Sequence, residues 1–107
     1  MSNRYTLKLM PQAERDLDDI FNYIAYELKN AEAAAKLIDN IIDVLVGLED
    51  MPKKCPISEI YELQKDGYRK CIVKNYVALY TLDESLKIVK VAKVFYGMRD
   101  YKNLGLF

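Results

Sequence analysis

The sequence predicts an α+β domain: an N-terminal strand, an antiparallel helical hairpin, then a three- to four-stranded, mostly antiparallel sheet with the helices on one face. Three observations predict it. Apolar and polar residues alternate over Arg4–Leu9, two apolar stripes at three- and four-residue spacing run through residues 11–48, and a Tyr-, Val- and Ile-rich texture cut by short turns begins at Ser58. The 107 residues are 51% hydrophobic and 30% charged, with four Gly and three Pro, which suits one packed domain spanning 1–107. That composition excludes disordered, collagen-like and disulfide-scaffold classes.

In the first strand Tyr5, Leu7 and Leu9 take one side and Arg4, Thr6 and Lys8 the other. Pro11 suits a first helical turn, where its missing N–H would be unpaired anyway. Behind it Ala13, Leu17, Ile20, Phe21, Ile24 and Leu28 form the stripe of a helix of roughly five turns. Lys29-Asn30 breaks the pattern, and Asn30 is an expected N-cap. A second stripe follows in Ala34, Leu37, Ile38, Ile41, Ile42, Leu45 and Leu48. The short junction makes the two helices an antiparallel hairpin, ended by Pro52 and Pro56.

In the β half, Ile60-Tyr61-Glu62-Leu63 is expected as a short strand and Gln64-Lys65-Asp66-Gly67 as a turn. Tyr68–Val73 and Tyr76–Leu82 read as hairpin mates joined at Lys74-Asn75. Asp83-Glu84-Ser85 turns the chain into a central strand, Leu86–Tyr96, apolar on both faces. The tail from Gly97 to Phe107 is expected to carry a turn of helix.

With no histidine in the chain, Cys/His zinc sites and His-based nucleophilic machinery are excluded, so chemistry near neutral pH falls to Lys, Arg, Tyr and carboxylates. Cys55 and Cys71 are too few to define a staple; they pair only if the fold joins them, and a reducing cytosol opposes it. Neither a membrane span nor a secretory leader is visible, so a cytoplasmic protein is expected. Glu14, Asp16, Asp18 and Asp19 read as acids favoured by the helix dipole rather than as a metal site.

Zero net charge conceals an asymmetry. Ten acids face three bases over Pro11–Asp50, whereas eleven bases face six acids over Met51–Phe107, which points to an anionic partner for the second half. Of nine tyrosines, Tyr76 and Tyr80 share a strand face with Ala78 and read as core, while Tyr96 and Tyr101 flank Arg99 beyond the last apolar strand. Arg69 lies on a strand face with Cys71 and Val73, and its planar fork suits phosphate oxygens. If Arg69 and Arg99 converge they make a phosphate-sized pocket; otherwise they are solvated charges or partners of Glu62 or Asp100.

The ordered set Pro11…Ala13…Asp16-Leu17…Ile20…Tyr23-Ile24, then Gly67-Tyr68-Arg69-Lys70-Cys71-Ile72-Val73-Lys74-Asn75-Tyr76-Val77-Ala78-Leu79-Tyr80, then Val94-Phe95-Tyr96-Gly97-Met98-Arg99-Asp100-Tyr101 resembles the RelE/ParE toxin superfamily of type II toxin–antitoxin modules. The resemblance implies a growth-inhibiting, plasmid-stabilisation type of toxin, neutralised by a cognate antitoxin laid along the apolar surface between hairpin and sheet. It implies no cofactor. One branch poisons DNA gyrase without catalysis; the other cleaves mRNA on the ribosome. On the nuclease reading Arg69, Tyr96, Arg99 and Tyr101 are the catalytic residues, and Lys70, Lys90 and Lys93 bind phosphate or RNA. The ParE-like gyrase target is favoured, because a charge-neutral chain without histidine is poorly equipped for RNA cleavage and Ala31-Glu32-Ala33-Ala34-Ala35 in a long hairpin looks ParE-like. An inactive paralogue that only binds its partner is the third alternative.

Overall fold

The computed structural model describes residues 4–97. Strand β1 (Thr6–Leu9) leads into helix α1 (Pro11–Asn22), which Pro11 opens. The helix widens into a π-helical turn, Tyr23–Glu27, in which the Leu28 amide donates to the Tyr23 carbonyl at 3.1 Å. Lys29 ends it in the left-handed region, at φ 54°, and the Asn30 side chain accepts the Ala33 amide to cap α2 (Ala31–Gly47). A short helix α3 (Tyr61–Gln64) precedes β2 (Arg69–Val73), β3 (Tyr76–Asp83) and β4 (Ile88–Tyr96). The strand order is β1-β4-β3-β2, with β1 parallel to β4 and the other pairs antiparallel. No helix among the described residues is long and apolar enough to cross a membrane.

Helices α1 and α2 cover one sheet face. Ala13, Leu17, Ile41, Leu45 and Leu48 pack there against Cys71, Val73, Ala78, Tyr80, Val89, Val91 and Val94. The strand expected at Ile60–Leu63 is instead α3, and it covers the opposite face. Ile60 and Leu63 lie one helical turn apart, both buried against Val77 and Leu79, while Tyr61 between them is exposed. The three-residue spacing of the buried pair satisfies a helical turn, which a period of two would not. The turn that follows uses Gly67 at φ 79°. The last strand starts at Ile88 rather than Leu86, since Lys87, at φ 55°, belongs to the turn. The turn of helix expected in the tail lies outside the described residues.

Side-chain anchors tie helix to sheet. The acid-rich first helix uses Asp16 as more than a dipole partner: one carboxylate oxygen accepts the Val94 amide at 2.9 Å and the other the Gln12 amide at 2.8 Å. The anchor serves an irregularity, because β4 carries a bulge: Tyr80 pairs with Val91 and Leu79 with Lys93, leaving Ala92 as the extra residue. We expect Asp16→Ala to lower stability by about 2 kcal/mol, since it strands that amide and removes a charged acceptor. Asp16→Asn should lose less, because an oxygen remains; urea denaturation of both variants measures the difference.

Glu49 closes the outer edge of β1. Its carboxylate accepts the Leu7 amide at 2.7 Å and its carbonyl accepts the Tyr5 amide at 2.8 Å. The Leu7 hydrogen bond, then that from Arg4, holds the Glu49 carboxyl below its ordinary pKa.

The loop between α2 and β2 is fastened to the sheet. Cys55 and Cys71, expected to pair only if the fold allowed, form a disulfide with Cα atoms 5.3 Å apart. The Tyr80 hydroxyl donates to the Pro52 carbonyl at 2.8 Å, and the Arg69 guanidinium donates to the carbonyls of Cys55 at 2.8 Å and Lys53 at 3.5 Å. Burial raises the Tyr80 phenol above its ordinary pKa, so it remains a donor at neutral pH.

Candidate functional site

Two surfaces stand out among the described residues as candidate sites. The first is a groove of about 540 Å³ where the π-helical turn meets the end of the β3–β4 pair. Ile20, Tyr23, Ile24 and Leu28 form its helical wall, Tyr76 and Tyr96 its sheet wall, and Asp19 stands among them. Tyr76 and Tyr96 are register partners whose rings meet edge to face at 5.5 Å. Tyr23, Leu28 and Tyr96 are each half exposed or more, so the apolar lining is open to solvent. Burial first, then the neighbouring Tyr96 and Tyr23, pushes the Tyr76 phenol above its ordinary pKa. Tyr76 is therefore a neutral ring with a polar tip, suited to contact rather than to proton abstraction.

The second surface is basic and lies on the sheet face away from the hairpin. Lys8 and Lys90 are register partners across β1 and β4, Lys93 lies opposite Leu79, and Lys70 lies opposite Leu79 from the other side. Residues 90 and 93 would point to opposite faces of a regular strand. The bulge at Ala92 returns Lys93 to the face of Lys90. Two of these ammoniums have carboxylate partners: Lys70 meets Glu59 at 2.8 Å and Lys90 meets Asp83 at 3.8 Å.

The described residues named from the sequence for catalysis do not gather at one place. Arg69 is on the hairpin side of the sheet, paired in register with Tyr80, with its guanidinium on the loop carbonyls. Tyr96 is on that same side, in register with Tyr76, four positions along β3 and so about 13 Å from Arg69 along the strand direction. Arg99 and Tyr101 lie outside the described residues. Arg69 and Tyr96 thus stand at opposite ends of one face, and Lys70, Lys90 and Lys93 gather on the other.

The groove was only half visible in the sequence. Ile20, Ile24 and Leu28 belong to the helical stripe, but the stripe gives no reason for them to stay uncovered. The available signal was an excess of large residues off the stripe, Tyr23 and Tyr26, both exposed. The disulfide had a comparable signal: Cys71 shares the inward strand face with Val73, and Cys55 lies in the loop that must reach that strand.

Comparisons with known proteins agree with this architecture. A family model described as the ParE toxin of type II toxin–antitoxin system, parDE, matches residues 7–101. Among solved structures, a chain of the chromosomal ParDE toxin–antitoxin system from P. aeruginosa superposes with a TM-score of 0.74 at 20% identity, covering 90% of this chain and 99% of that one. A chain of the toxin–antitoxin complex RelBE2 from Mycobacterium tuberculosis gives 0.67 at 18% identity, covering 90% and 94%. At such identities the likeness is one of fold. No curated protein matches the chain.

Proposed function

This chain belongs to the ParE toxin family of type II toxin–antitoxin systems, and from that premise we propose that it acts on DNA gyrase without catalysis of its own and is neutralised by an antitoxin seated in the tyrosine-lined groove. The observation that carries the target reading is the dispersal of the cationic and phenolic groups among the described residues. Transfer at a phosphate needs a base, an acid and charge stabilisation within a few ångströms of one another. Here Arg69 is spent on loop carbonyls, Tyr96 is packed on Tyr76, and the lysines face the other way. A binding toxin needs no such convergence.

The groove supports the antitoxin reading. It is apolar, solvent-open and rimmed by aromatic rings, the composition that dominates protein–protein anchor points. Asp19 offers a carboxylate to a cation on the incoming segment.

The test sets the two targets side by side. Purified toxin should inhibit gyrase supercoiling and accumulate cleaved DNA, and message in a cell-free translation reaction should stay intact by primer extension. Cuts confined to ribosome-engaged message, with gyrase unaffected, would overturn the gyrase reading in favour of the nuclease. Arg69→Ala and Arg99→Ala would then be the substitutions to make.

A further inference from the structure

We propose that Cys55 and Cys71 form a reversible thiol–disulfide site, oxidised by hydroperoxides that enter through the pocket beside them. The pocket, of about 350 Å³, is lined by Val44, Lys54, Pro56, Lys70, Ile72 and the two cysteines themselves. Both cysteine residues are otherwise buried, at 8% and 3% exposed, so the pocket is their approach to solvent. Lys54, exposed and part of the same lining, brings a cation to the pocket, and a nearby cation favours the thiolate, which is the reactive form.

The cysteines stay adjacent whether or not they are bonded. Arg69 holds the Cys55 carbonyl, the Lys70 amide donates to the Pro56 carbonyl at 2.9 Å, and the Ser58 amide donates to the Tyr68 carbonyl at 2.9 Å. Reduction therefore leaves the two thiols side by side on a loop and strand that need not separate. This pre-positioning distinguishes the pair from two cysteines that meet by chance.

Cys55 is the more exposed and takes the first step. Its thiolate attacks the hydroperoxide, an S–O bond forms as the O–O bond breaks, and the alcohol or water leaves with a proton. The Cys71 thiol then attacks the Cys55 sulfur, the S–S bond forms, and the sulfenic oxygen leaves as water. Two thiols supply two electrons to one hydroperoxide, and a dithiol reductant returns them by exchange. In a reducing compartment the pair rests as thiols, and oxidation bolts the Lys53-Lys54 loop to β2.

The test starts from fully reduced wild-type protein, freed of reductant and given stoichiometric hydrogen peroxide. Both thiols should disappear, the intact mass should fall by two hydrogens, and no disulfide-linked dimer should form. The oxidised form should melt on the order of 10 °C higher than the reduced form, given the 16-residue separation of the bridged cysteines. In Cys71→Ser, dimedone should label Cys55. Thiols that react no faster than those of the urea-unfolded chain, or that form dimers instead of an internal bond, overturn the proposal. The wild-type thiol count decides it even if Cys71→Ser fails to fold.

Discussion

Tyr80→Ala should lower stability by about 4 kcal/mol, the largest loss expected of any single side chain in the described core. Tyr80 is completely buried and is the bulkiest of the fully buried residues. It lies on the central strand β3, between Arg69 on β2 and Val91 on β4, under the face that α1 and α2 cover. Truncation removes a ring that the surrounding backbone cannot collapse to replace, because sheet hydrogen bonds fix both neighbours.

The hydroxyl adds a second, separable contribution. Tyr80→Phe keeps the ring but leaves the Pro52 carbonyl without its donor, and should lose about 1 kcal/mol. Its effect should not add simply to that of Arg69→Ala, since Arg69 holds the carbonyls of Lys53 and Cys55 in the same loop. Urea denaturation of Tyr80→Ala, Tyr80→Phe, Arg69→Ala and the Tyr80→Phe/Arg69→Ala double variant separates core from loop. Equal losses for Tyr80→Ala and Tyr80→Phe would mean that the hydroxyl, not the ring, is what matters.

These side chains also show where sequence reading stops. The hairpin was legible because stripe and cap are local: Asn30 does cap α2, and the alternation at Tyr5–Leu9 does set the inward face of β1. Helix α3 was not legible, because Ile60 and Tyr61 favour strands by propensity and only a second core beneath Val77 and Leu79 turns their segment into a helix. Arg69 was placed on its correct strand face, yet its partners are carbonyls 14 and 16 residues earlier in the chain, where no spacing rule reaches. The lysine face depends on one inserted residue. Without the bulge at Ala92, Lys93 would point toward the helices, and nothing local distinguishes a strand that bulges from one that does not.

Ile24→Glu should weaken antitoxin binding at least 100-fold while leaving the free toxin folded. Ile24 is only partly buried, at the helical wall of the groove, so a carboxylate there reaches solvent in the free chain. Once a partner covers the groove, the same carboxylate is desolvated beside Leu28 and Tyr96 with no cation among the described groove-lining residues to meet it. A buried unpaired charge costs several kcal/mol, and each 1.4 kcal/mol is about a factor of ten in affinity. Tyr23→Ala and Tyr96→Ala should each cost less, about 1–3 kcal/mol, as truncated aromatic anchors. Tyr61→Glu supplies the control, because Tyr61 is also solvent-accessible in the free chain but sits on α3, across the sheet. Calorimetric titration of the four variants with the cognate antitoxin decides the matter. Unchanged affinity in Ile24→Glu would move the antitoxin off the groove; a loss in Tyr61→Glu as large as in Ile24→Glu would spread the interface over both faces and make the groove one contact among many.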